Sequence, residues 1–336
     1  MTTYKGIKGF SIQTVAGDPS NLETGMIWYD SVAKKVQGAK IPAGSWSTGD
    51  NLTTARGQIY GSGTTTAAVV AGGRDGVSSP DTVALVEEYD GSSWTEVNNI
   101  GTARYNAGAC GPQTAALIFG GGPGPAPGGN NRGETEEYDG TNWAEQNDLN
   151  NPRREVTGCG TQTAGLCAAG RAGNETTGEA RVATSEEYDG TNWAEGNNVN
   201  VAKGNARSLG IQTAAILAGG NTGPSTFVAT AEQYDGTSWT EVNDLNVVKA
   251  VMGAAGTLTD GLVYGGKSAP GTRLATTEAF DGTSWTEVGD LPAVRENFAG
   301  DGTGSAAWGA GGYLPSVTNT TVEWSKATAA TTFTSS

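Results

Sequence analysis

Apolar residues along this chain come in short clusters separated by small and polar residues. Clusters such as AAVVA at 67 to 71, ALIF at 116 to 119, AAILA at 214 to 218 and GLVY at 261 to 264 have strand length. No 3.6-residue apolar period persists to argue for helices, so the pattern predicts an all-β protein.

The clusters recur in register. Tryptophans fall at Trp46, Trp94, Trp143, Trp193, Trp239 and Trp285, and ten positions after each comes Arg56, Arg104, Arg153, Lys203, Lys249 or Arg295. Sixteen residues further on, a small pair ends each cluster: Gly72-Gly73, Gly120-Gly121, Ala169-Gly170, Gly219-Gly220, Gly265-Gly266 and Gly311-Gly312. A variable stretch then leads to Tyr89, Tyr138, Tyr188, Tyr234, Phe280 or Trp324, and all but the last are followed five residues later by the next tryptophan.

Each unit of about 48 residues reads as four antiparallel strands, with Asp-Gly predicted as a two-residue turn between the third and fourth. Six such units predict a six-bladed β-propeller over residues 44–336, preceded by a short β-hairpin extension over residues 1–43. The last unit lacks its fourth strand, and the strand around Trp46 lacks a third. Pairing the two closes the ring and removes exposed edges. A rival closure uses residues 330 to 334 as the missing strand.

Composition narrows the function classes. Gly is abundant at 53 of 336 residues, and the formal charge of −15 argues against a phosphate-tracking surface, so no nucleic-acid partner is expected. No apolar stretch reaches bilayer-spanning length, so no membrane partner is expected either. Histidine is absent. That removes Ser-His-Asp and Cys-His catalysis and most zinc or copper sites. Cys110, Cys159 and Cys167 form no CxxC pair and read as buried apolar residues. The expectation is a protein that is not an enzyme and has no cofactor, metal or catalytic residues.

The double glycine, the YDG turn and the following tryptophan resemble the kelch repeat family over residues 44 to 326, with Ala169 and the Trp324-Ser325 pair as departures. The resemblance implies a kelch-type propeller, an architecture that serves adaptors, adhesins, viral proteins and a copper oxidase, and so specifies fold better than function. The extension, with its Gly-Asp-Pro start and IWYDS strand, is similar to segments of tailed-bacteriophage virion and tail-fibre proteins, especially marine ones. This implies a bacteriophage structural protein of the tail or virion surface, made in the host cytoplasm. Met26, Ile27, Trp28 and Tyr29 are its candidate anchor.

The expected partners are other phage structural proteins through residues 1–43, a host-surface glycan or receptor at the propeller, and further copies of the chain as a homo-oligomer. The loops joining second to third strands vary from unit to unit and emerge on one face. They supply the candidate binding residues Arg74, Asp75, Asn130, Asn131, Arg132, Asn174, Asn221, Lys267, Arg273 and Tyr313. Two other readings stand beside this one, a carbohydrate-active propeller enzyme and a cytosolic kelch adaptor. The six basic residues could ring the channel mouth and capture an anion. Alternatively they pair with Glu87, Glu136, Glu186, Glu232 and Glu278, which recur two residues before the aromatic.

Overall fold

The computed structural model describes residues 13–17, 27–40, 44–78, 81–122, 130–174, 178–326 and 329–332. Contacts divide the chain into two compact units, Met1–Gly44 with Lys326–Ser336, and Ser45–Ser325.

In the larger unit each apolar cluster is the second strand of a four-stranded antiparallel sheet. The first sheet runs Tyr60–Thr64, Ala67–Ala71, Val86–Tyr89, Trp94–Val97, in chain order, and each strand bonds to the next. Four more sheets repeat this order, beginning at Gly108, Thr157, Arg207 and Gly253. In the sixth, Ala299–Gly302, Ala306–Ala310 and Thr321–Ser325 are completed by Ser45–Thr48 from the other end of the unit, with Trp324 opposite Trp46. The two incomplete repeats do join.

The residues 330 to 334 of the rival closure lie elsewhere as far as they are described. Ala329–Thr332 pairs with Lys35–Lys40, completing a separate sheet with Gln13–Val15 and Ile27–Asp30. The sequence places this tail with residues 44 to 336, whereas the contacts put Lys326–Ser336 in the smaller unit.

Burial follows the repeat. Six apolar clusters each draw residues from two successive sheets, and the cluster of Ile59, Val70 and Trp94 with Ala299 and Trp308 joins the first sheet to the sixth. Within a sheet, the aromatic of the third strand meets the tryptophan of the fourth, as in Tyr89–Trp94 at 4.9 Å and Tyr138–Trp143 at 4.7 Å between ring centroids. Aromatic pairs in this geometry contribute about 0.5–1.5 kcal/mol beyond area burial. Trp308, off the repeat, is fully buried.

The turn between third and fourth strands differs from the two-residue turn that the sequence predicts. Tyr89 pairs with Trp94, leaving four residues in the connection. Only the glycine takes positive φ, +91° at Gly91, while the aspartate turns the chain with its carboxylate: Asp90 Oδ1 accepts from the amides of Ser92 and Ser93, both at 2.8 Å.

A ring of backbone hydrogen bonds runs around the start of the first strands. Gln58 donates to Asn297 O (2.7 Å), Asn106 to Gln58 O (3.1 Å), Glu155 to Asn106 O (2.9 Å), Asn205 to Glu155 O (3.0 Å), Val251 to Asn205 O (2.9 Å) and Asn297 to Val251 O (2.8 Å). The circuit closes on itself. All six residues sit at φ between 51° and 56°, a left-handed geometry that bulky side chains adopt at a cost. Six sheets, six interfaces and a closed circuit together form an all-β architecture that fits a β-propeller.

Candidate functional site

The basic residues do not ring the channel as an anion trap. Their side chains are buried, and five hold the recurrent glutamates: Arg56–Glu87 at 2.8 Å, Arg104–Glu136, Arg153–Glu186, Lys203–Glu232 at 3.2 Å and Lys249–Glu278 at 2.9 Å. Each glutamate also accepts an amide from the segment that enters its sheet, as Glu136 does from Gly101 and Glu278 from Asn246, both at 2.6 Å. The pair thus clamps the connection between successive sheets. Arg295 is the exception, because Val322 stands where the glutamate recurs. Its guanidinium donates instead to Gly309 O, Thr320 O and Thr320 Oγ1, and burial pulls its pKa down to about 10.

The variable loops stand at the end of the sheets where the backbone circuit of Gln58 to Asn297 lies. Most of their predicted residues make contacts that run from sheet to sheet, while the side chains of Asp75 and Arg132 bond within their own loops. Arg74 exchanges both backbone hydrogen bonds with Gly57, reaches Asp81 at 3.4 Å and lies over the Tyr105 ring of the next sheet at 4.4 Å. Asp75 accepts from the amides of Val77 and Ser78 within its own loop.

In the second sheet's loop Asn130 is exposed and bridges to Asn174 of the third. Buried Asn131 donates to Arg171 O at 2.8 Å, and Arg132 pairs with Glu134 at 2.8 Å. Asn221 is buried, and its carbonyl accepts from Arg181 Nε at 3.0 Å. Lys267 and Arg273 converge on Glu296 at 3.2 and 2.9 Å. The Tyr313 ring packs on Gly57, where a Cβ would come within 2.4 Å of it. Only a glycine fits there.

Sequence reasoning missed a further group of ion pairs beside these loops. Arg154 donates to Tyr105 Oη and pairs with Glu179 at 2.8 Å; Arg171 reaches Glu155 at 3.3 Å and Glu179 at 2.9 Å. The doubled Arg153-Arg154, where other repeats have one basic residue, was the available signal. Of the anchor residues, Met26 lies outside the described residues. Ile27 and Tyr29 are exposed while Trp28 is fully buried, the alternation of a strand with one covered face.

The first strands of all six sheets line a cavity of about 310 Å³ along the axis. Most of the lining is Gly, Ala or another small residue. Cys110 and Cys159 contribute buried thiols, with burial pushing Cys159 up to about 12. Two charged residues line it as well. Arg207 donates from Nε to Met252 O at 2.7 Å, and burial lowers its pKa to about 10. Asp301 accepts from the amide of Gly63 at 2.9 Å, and burial raises its pKa to about 7. The sequence analysis singled out neither.

No family model matches the chain, and a search of curated proteins finds no match. Among solved structures, that of YjhT is similar with a TM-score of 0.64 over 83% of this chain and 95% of the other, at 11% sequence identity. At that identity the likeness concerns the fold alone.

Proposed function

We propose that this chain is a six-bladed kelch-type β-propeller that works as a non-enzymatic binding and structural module of a tailed-bacteriophage virion, in the tail or a tail fibre. One observation carries the binding reading. The scaffold repeats its buried ion pairs, aromatic pairs and turns from sheet to sheet, whereas one face carries loops whose length and charged residues change from sheet to sheet. Variation confined to one face of a constant scaffold is how recognition surfaces are built. The smaller unit supports a docking role, since Ile27, Tyr29 and Val36 are exposed apolar side chains on neighbouring strands, with Tyr29 opposite Val36. They suit contact with another structural protein.

The enzymatic alternative finds less support in the axial cavity. Glycoside hydrolysis by two carboxylates needs a pair about 5–9.5 Å apart, and among the described residues the axial cavity is lined by one carboxylate, Asp301.

The reading is tested with full-length labelled protein and two variants, Lys267→Ala/Arg273→Ala on the loop face and Ile27→Ser/Tyr29→Ser on the smaller unit. Binding to host cells should fall only in the first, and incorporation into particles only in the second. A particle proteome without this protein would reject the virion assignment. Unchanged cell binding after substitution around the whole loop face would reject the recognition surface.

A further inference from the structure

Two positions on the inner strands carry a charge in one sheet alone. The residues matching Arg207 in the other sheets are Tyr60, Gly108, Thr157, Gly253 and Ala299, and those matching Asp301 are Ser62, Cys110, Cys159, Leu209 and Ala255. None carries a charge at neutral pH. The wall therefore needs neither a guanidinium nor a carboxylate for closure, packing or register.

Both charges are also uncompensated. Among the described residues Arg207 makes one hydrogen bond, to a carbonyl, Asp301 accepts from the backbone amides of Gly63 and Gly302, and neither forms an ion pair. The basic residues of the repeat differ sharply in this respect, because five of six are clamped to a glutamate. Both residues are half-buried in the cavity wall, where Gly, Ala and Cys offer neither charge a partner of opposite sign. Arg207 stands on the fourth sheet and leans to the fifth, while Asp301 stands on the sixth, so opposite charges face one cavity from different parts of its wall.

From this arrangement we infer that the axial cavity is a binding site for a small zwitterion, whose anionic end lies on the Arg207 guanidinium and whose ammonium end lies on the Asp301 carboxylate. A simple anion would leave Asp301 facing it, and a simple cation would face Arg207. A molecule bearing both charges satisfies both walls at once. The volume, about 310 Å³, sits at the small end of ligand pockets, which suits an amino-acid-sized solute. The lining runs from Ile59, Ala107, Val156 and Phe298 at the start of the first strands to Thr64, Pro112 and Gly302 at their turn end; the site requires an entrance at the turn end, away from the variable loops. Ligand entry there is independent of the recognition face proposed above.

The test is calorimetric titration of the full chain with glycine, γ-aminobutyrate and 5-aminopentanoate, zwitterions of increasing charge separation, alongside acetate and methylammonium. Two variants borrow residues that the repeat already tolerates: Arg207→Thr, as at Thr157, and Asp301→Ser, as at Ser62. At least one zwitterion should bind saturably, with acetate and methylammonium at least about tenfold weaker, and each variant should lose about tenfold or more while keeping the wild-type circular dichroism spectrum. Three results would overturn the site: no saturable binding of any zwitterion up to about 10 mM, acetate or methylammonium binding as tightly as the best zwitterion, or folded variants that bind as the wild type does. Loop-face variants serve as the control and should titrate normally.

Discussion

Asp301 titrates against the trend of the turn aspartates. Hydrogen bonds from the Ser92 hydroxyl and the Ser93 and Ser92 amides hold Asp90 down at about 2, and backbone amides lower Asp139, Asp189, Asp235 and Asp281 in the same way. Their contribution is present above the unfolded value of 3.8 and is lost as pH falls through the folded values. Asp301 reverses the sign. Its folded pKa, about 7, lies above 3.8, so between these values the native chain holds a proton that the unfolded chain has released. Its contribution is therefore full below about pH 4 and is lost as pH rises to about 7. Asp301→Asn should be more stable than the wild type at pH 8, by something of the order of 2 kcal/mol, and no more stable at pH 4. Urea unfolding at the two pH values measures this, and a gain of equal size at both would show that packing rather than charge is responsible. Repeat reading found the glutamate clamps because they recur. It passed over Arg207 and Asp301 because each is charged in one sheet alone and so leaves no recurring residue to notice.

At the scale of the turn, an aspartate carboxylate and a glycine divide the work that the sequence assigned to a two-residue Asp-Gly turn. Gly140 takes φ of +88°, while the Asp139 carboxylate accepts the amides of Thr141 and Asn142 at 2.8 and 2.7 Å. A Cβ at Gly140 would meet Thr114 at 3.6 Å, ordinary contact, so the cost of Gly140→Ala is conformational rather than steric. It should destabilise by about 1–2 kcal/mol, read from the urea midpoint at unchanged slope. Gly63 makes the contrasting case. There an added Cβ would lie 2.2 Å from Ala67 O as well as at φ +111°, so the same change should cost considerably more. Strand existence and order were legible because the apolar clusters and tryptophans keep register. The pairing of Ala329–Thr332 with Lys35–Lys40 was not, since neither strand carries a repeated residue that names its partner.

Closure changes how the larger unit should come apart. An open array of repeats opens from its ends, where each unit has one neighbour instead of two. Here Ser45–Thr48 supplies the last strand of the sixth sheet, and the apolar interface between sixth and first sheets is built like the other five. The complementary deficits at the two ends made this legible in sequence, since an edge strand and a missing strand solve each other. A closed ring has no end to open, so losing one interface should loosen all of it. Trp46 is the place to test this. Its ring lies 4.6 Å from that of Tyr264 and 5.5 Å from that of Trp324, and its Nε1 donates to Thr277 Oγ1 at 3.0 Å, joining the closing strand to the fifth sheet. Trp46→Ala should lower stability by about 3 kcal/mol. Native-state hydrogen exchange gives the decisive reading: amides of Ala214–Ala218, far around the ring, should lose the same opening free energy as those of Thr321–Ser325. If only the sixth sheet loses protection, that sheet melts alone and the circle is a set of contacts without cooperative closure.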